Sequence, residues 1–155
     1  MSKATKRFDG PLTAHLGFWL RFVSNHVSGS FRQKLAQHDV SVAEWACLRE
    51  LFGCDGLAPS QLATQLGMTR GGITKIVDKL VRSGFATRSS HATDQRGQVL
   101  GLTPAGRRLV PVLAALADLN DHECFGHLPP ETVQQMTRFL RDLVDHHHLR
   151  SVPLS

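Results

Sequence analysis

Residues 58–103 constrain the fold of this 155-residue chain more than any other stretch, because they read as helix, tight turn, helix and hairpin in quick succession. Residues 58–67 form a short helical run that Pro59 opens and Gly67 closes; Thr69 then caps a second run over residues 70–80, and Gly84 ends it. Proline at a first helical position gives up only an N–H that has no helical partner, and glycine takes the left-handed conformation at a helix stop. Two helices joined by so short a turn cross steeply, which leaves the second free to enter a DNA major groove. Residues 86–88 and 98–102 are strand-like, and the polar, turn-forming residues 89–97 between them predict a wing. Arg96 near its tip is a long planar cation suited to a narrow minor groove, and Asp94, two residues away, is placed to hold the guanidinium. The alternative for this pair is a solvated loop with an incidental ion pair.

The second helix divides into faces. With residue 73 at zero and about 100° per residue, Ile73, Ile76, Val77 and Leu80 share a buried face, while Gly71, Lys75, Asp78 and Arg82 lie opposite. Thr74 and Lys79 flank the exposed arc. Lys75 and Thr74 are therefore the candidates for base edges, and Arg70, Lys79 and Arg88 for phosphate contacts, with Gly71 at the helix entrance. Each glycine of Gly71-Gly72 costs roughly 1 kcal/mol against alanine inside a helix. Close backbone approach to the duplex would account for that cost, as would simple tolerance at a helix edge. A net charge of +5 favours a polyanionic partner, but the placement of Arg70, Lys75, Lys79, Arg82, Arg88 and Arg96 on the second helix or hairpin says more than the total.

These residues together resemble the MarR family of transcriptional regulators. The hairpin carries Asp94-Gln95-Arg96, followed by Leu102-Thr103-Pro104-Ala105-Gly106. The second helix carries Gly67-Met68-Thr69-Arg70 and Ile76-Val77-Asp78-Lys79-Leu80 before Gly84-Phe85. The similarity runs from about Leu12 to about Val144. It departs at Ala58, where relatives place a Ser or Thr cap, and at His91-Ala92-Thr93, where they carry a more acidic, proline-containing turn. The resemblance implies a mainly α fold with a small β-wing, in one domain over residues 1–155. In that domain a winged helix-turn-helix at about 41–103 is flanked by dimerisation helices at about 11–38 and 104–148. It implies a repressor on double-stranded DNA, with a small aromatic or anionic effector in the cleft between the dimerisation helices and the winged module, and no cofactor. His15, Trp19 and Phe22 are the candidates for lining that cleft, the alternative being that a Trp and a Phe at helical spacing belong to the core.

The flanking segments read as helices. Leu16, Leu20, Val23, Val27, Phe31 and Leu35 fall at three- and four-residue steps and predict a helix from about Leu12 to about Gln37. Phe18, Trp19 and Phe22 give it a second apolar flank, as expected of a helix shared with a partner; a purely intramolecular core helix is the alternative. Ser41-Val42-Ala43-Glu44 fits a capping box that opens a helix with Trp45, Leu48, Leu51 and Phe52 inward. Thr103-Pro104 caps a later helix, in which Pro111 predicts a bend without a full stop, and Met136, Phe139, Leu140, Leu143 and Val144 line one side of the last. One recognition helix reads too few base pairs for useful specificity, so a homodimer on a palindromic operator is expected. With about five phosphate-contacting cations per subunit, the logarithmic salt dependence of binding should have a slope on the order of −5 to −9.

Other functional classes fit less well. A hydrophobic fraction of 41% with 20% charged residues is ordinary for a globular domain, with residues 1–10 and 150–155 as frayed ends. No apolar run reaches eighteen residues and no signal core is present, so a cytoplasmic protein without a membrane partner is expected. His122 and His127 stand five apart and diverge by about 140° on a helix, which is wrong for a zinc-protease pair. No metal site is assigned; the alternative is a sensing site at His122, Cys124 and His127. Three cysteines form no close-spaced pair, and Cys47 reads as a buried thiol with thiol sensing as the alternative. A winged helix used only to dock proteins is the remaining non-DNA reading.

Overall fold

The chain is described by a computed structural model over residues 10–91, 94–150 and 154, with the backbone alone at 91 and 94–96. Most of both expected frayed ends, and the wing-tip residues Ala92 and Thr93, lie outside the described residues. A single 3-10 turn at Leu12–Ala14 leads into α1 (Leu16–Ala36) and α2 (Val42–Phe52). Helices α3 (Pro59–Leu66) and α4 (Arg70–Arg82) follow, then strands β1 (Ala86–His91) and β2 (Asp94–Leu102), then α5 (Pro104–Phe125) and α6 (Pro130–His146). The order is the one expected: helix, helix, helix-turn-helix, wing, helix, helix.

The helix boundaries follow from the residues that sit on them. At α2 the Ser41 hydroxyl accepts from the Glu44 N–H at 3.1 Å and Glu44 accepts from the Ser41 N–H at 3.0 Å, so both halves of the capping box are made. At α3 the box is only half made: Gln61 accepts from the Ala58 N–H at 2.9 Å, but the alanine has no oxygen to return. Gly67 (φ 63) and Gly84 (φ 77) take the left-handed conformation that stops α3 and the turn after α4. Thr69 accepts from the Gly72 N–H at 3.1 Å and Thr103 from the Gly106 N–H at 3.0 Å, capping α4 and α5. Helix α5 runs unbroken through Pro111.

The hairpin is longer than the sequence suggested. Ser89 pairs with Val99 and Ser90 with Gln98 before the register slips at His91, so residues read as turn continue the ladder. Backbone pairing needs no apolar side chains, and a two-stranded ribbon exposed on both faces tolerates Ser and Thr. One further pairing went unforeseen: Leu57 bridges Leu100, each N–H donating to the other carbonyl at 3.0 and 2.8 Å, which ties the chain before α3 to the root of the wing.

The buried core gathers Leu35, Leu48, Leu51, Leu62, Leu66, Ile73, Val77, Leu80, Leu100, Val110 and Leu113, which draws on α1 to α5 and on β2. Burial fades towards the first turns of α1. Leu35 is fully buried and Phe31 half-buried, but Leu16, Trp19 and Phe22 are 71%, 50% and 65% exposed. Helix α6 packs extensively on no other described element, and its apolar side, including Phe139 at 66% exposure, is bare.

Candidate nucleic-acid interface

Helix α4 turns Ile73, Val77 and Leu80 inward, as its periodicity dictates, and Ile76 is half-buried at the edge of that face. Arg70, Gly71, Thr74, Lys75 and Arg82 are exposed on the other side. Neither Arg70, Lys75 nor Arg82 makes an ion pair with any described residue, so three cations stand free on one helix surface. The Thr74 hydroxyl donates back to the Arg70 carbonyl at 2.9 Å, which leaves its lone pairs facing out. A groove of about 410 Å³ runs beside this surface, between Pro59 and Ser60 of α3, Arg70 and Thr74 of α4, and Gly97 and Gln98 of the wing. Asp94 and Arg96 fall in β2; their side chains, and the contact expected between them, lie outside what the structure describes.

Two of the expected free cations are already engaged. Arg88 donates to the Asp78 carboxylate at 2.7 Å, joining β1 to α4, with both side chains partly exposed. Lys79 is turned back into the protein: its ammonium lies 3.0 Å and 3.2 Å from the two oxygens of Glu44 and donates to the Asp39 carbonyl at 3.4 Å. Position 79 therefore carries a cation that is ion-paired to Glu44 while its side chain stays 38% exposed. A helical wheel places a Cβ but not the end of a four-carbon stem, and the stem is drawn towards the nearest buried carboxylate.

A cavity is present in the region where an effector cleft is expected, and the residues proposed to line that cleft are not among its walls. A cavity of about 430 Å³ opens between α1, α2 and α5, with Val27, Phe31, Val42 and Trp45 as its apolar walls and Leu154 at its edge. Arg49, Glu50, Asn120 and Asp121 supply its polar groups. Its volume falls in the range of small-molecule sites. His15, Trp19 and Phe22 do not line it; they sit on the N-terminal turns of α1, where Trp19 donates to the Thr13 carbonyl at 2.9 Å and Phe18 stacks against both Trp19 and Phe22. The reason is the length of α1: only its C-terminal half reaches α2. Asn120, unnoticed in the sequence, is buried beside the cavity, donating to the Val27 carbonyl at 3.2 Å and accepting from Lys34 at 3.3 Å. Lys34 in turn pairs with Glu123 and donates to Ser30, so a polar knot fastens α1 to α5. Helix α1 holds no acidic residue and Asn120 lies 86 residues from Lys34, so no local spacing signals the knot.

The thiols and histidines add little chemistry. Cys47 is fully buried in α2, and burial, reinforced by the charges of Glu44 and Glu50, pushes its thiol up to about 12, far from the thiolate form a reactive cysteine needs. Among the described residues no group of three His, Cys, Asp or Glu side chains is gathered as metal ligands, and no helix is long and apolar enough to cross a membrane.

Comparison with known proteins agrees with this architecture. Residues 40–97 match the model of the MarR family. The transcriptional regulator PrsX of Escherichia coli is 26% identical over 121 residues, covering 76% of this chain and 73% of its own. The fold superposes on CouR from Rhodococcus jostii RHA1, solved with p-coumaroyl-CoA, with a TM-score of 0.72 at 25% identity, covering 86% of this chain and 94% of that one. It superposes on MepR of Staphylococcus aureus, solved with DNA, with a TM-score of 0.74 at 24% identity, covering 85% of this chain and 98% of that one. The α3–α4 pair, the hairpin behind it and these likenesses agree: residues 40–97 match the MarR family, and over most of its length the chain is similar in sequence and fold to transcriptional regulators with a winged DNA-binding fold.

Proposed function

We propose that the protein is a ligand-responsive repressor that binds a palindromic operator as a homodimer in the cytoplasm. The observation that carries the DNA reading is the surface of α4, where Arg70, Lys75 and Arg82 stand exposed and in no ion pair among the described residues, beside a groove that leads to the wing. Arg70 and Lys75 with Gly71 and Thr74 meet the major groove, and Arg96 reaches the minor groove from the wing. The bare apolar sides of the N-terminal half of α1 and of α6 support pairing of two chains, since single soluble chains rarely leave such surface to water. In that arrangement the whole of residues 1–155 acts as one unit, the segments 11–38 and 104–148 joining the subunits and 41–103 reading DNA. Trp19 and Phe22 then belong to the joint between subunits rather than to an effector site. The cavity between α1, α2 and α5 is where a small aromatic or anionic effector binds, and the solved likeness to CouR with its acyl-CoA supports this.

The test is selection of duplexes from a randomised pool by the full chain, followed by mobility shifts across a range of salt. An inverted repeat with half-sites about one helical turn apart is expected. Three to four free cations per subunit give a salt slope on the order of −5 to −7. Arg96→Ala should weaken binding at least tenfold while leaving thermal unfolding unchanged. A monomer that enriches no repeat overturns the reading.

A further inference from the structure

We propose that Lys79 is a positioning residue, pinning the recognition helix to the corner between α1 and α2 through the buried carboxylate of Glu44, and not a phosphate contact. This rests on the DNA reading above. Glu44 is the one buried acid among the described residues, 6% exposed. A buried carboxylate is tolerated only when its charge is compensated and its lone pairs are filled. Here the Ser41 N–H supplies one hydrogen bond and the Lys79 ammonium lies against both oxygens at 3.0 and 3.2 Å. The same ammonium donates to the carbonyl of Asp39 at 3.4 Å, and Asp39 sits in the left-handed region (φ 54), in the tight turn that carries the chain from α1 towards α2. Three backbone neighbourhoods therefore converge on one cation: the end of α1, the capped start of α2, and the third turn of α4. Moving that cation to a DNA phosphate would leave Glu44 charged, buried and unpaired, whereas Arg70, Lys75 and Arg82 can meet phosphate without breaking anything.

Position on the helix gives the pin its mechanical meaning. Lys79 and Asp78 are about 100° apart around α4 and fall on opposite flanks of the exposed arc. Asp78 is held by Arg88 of the wing at 2.7 Å, and Lys79 by α2. The helix is thus tied on both sides, and a roll about its own axis would stretch one tie or the other. The cations of the two ties are similarly exposed, Lys79 at 38% and Arg88 at 32%, but the acids differ, Glu44 at 7% and Asp78 at 40%, so the α2 tie is the one with a desolvated partner.

The experiment uses the full chain and the duplex that the wild type selects from the randomised pool. Arg70→Gln, at a cation read as a phosphate contact and in no ion pair among the described residues, should make the salt slope shallower by about two in a two-fold dimer. Lys79→Gln should weaken binding about tenfold with the slope unchanged. Glu44→Gln should weaken it similarly although the acid never meets DNA, Lys79→Arg should restore most of the affinity, and the Glu44→Gln/Lys79→Gln double variant should be no weaker than either single variant. If a single variant does not fold, Glu44→Gln/Lys79→Met, which leaves no charge buried alone, is read in its place and should bind weakly with the wild-type slope. A slope lowered by Lys79→Gln or Lys79→Met as much as by Arg70→Gln, or full affinity in Glu44→Gln, overturns the pin and leaves the DNA reading standing. A wild type that selects no duplex overturns both.

Discussion

The winged centre of this protein and its outer helices are built on different principles. From α2 to the root of α5 each element buries its apolar face against another element of the same chain, and the caps of α2, α4 and α5 are filled by local side chains. The outer helices carry apolar stripes just as regular, yet Leu16, Trp19, Phe22 and Phe139 stay largely exposed. Amphipathic periodicity is the same signal in both regions, but only the centre answers it internally. A stripe states that a face must be covered and not by whom, so the contrast separates what stabilises one chain from what two chains would share.

Substitutions in the two regions should therefore fail in different ways. Leu48→Ala removes a fully buried side chain from the centre and should cost about 2–5 kcal/mol of unfolding free energy, independent of protein concentration, as urea titration will show. Phe139→Asp leaves the centre intact; sedimentation should show self-association weakened at least about thirtyfold, near 2 kcal/mol, with helical content kept at high concentration. If Phe139→Asp instead unfolds the chain at every concentration, α6 belongs to the centre and the comparison fails.

Cys47 sharpens the contrast through pH. Its folded-state thiol lies near 12 against 9.0 for a free one, so the stability it protects is complete below pH 9 and is lost as the pH rises from 9 towards 12. Cys47→Ala should flatten that alkaline loss in a denaturation series, and a thiol reagent at pH 8 should label Cys54 and Cys124, both partly exposed, well before Cys47. The smallest effect is expected at Gly71, where an added Cβ meets nothing within 4 Å. Gly71→Ala should raise stability by about 1 kcal/mol and lower DNA affinity; unchanged affinity would mean that the glycine merely sits at a helix edge.

Local chemistry made much of this legible in advance. The Ser41–Glu44 capping box, the left-handed Gly67 and Gly84, the Thr69 and Thr103 caps and the inward set Ile73, Val77 and Leu80 depend on neighbours within about one helical turn, and each is found in place. The site was legible in part. Arg70, Gly71, Thr74 and Lys75 are exposed as their spacing required, but Lys79 and Arg88 are held by acids that the sequence gives no reason to pair with them: Glu44 is thirty-five residues from Lys79. The cavity misled for a similar reason. Its walls come from three helices distant in sequence, so the aromatic cluster Phe18, Trp19 and Phe22 drew attention while Phe31, Trp45 and Asn120 line the cavity.

The order of elements, their caps and the face each helix hides were written in the chain itself, because they obey periodicities and hydrogen bonds that close within a few residues. Tertiary packing alone decided which cations stay free, which carboxylate is buried with Lys79, where Leu57 finds Leu100 and which side chains enclose the cavity. Those outcomes depend on the desolvation and reach of side chains brought together from distant turns, and no spacing along a single strand of sequence encodes them.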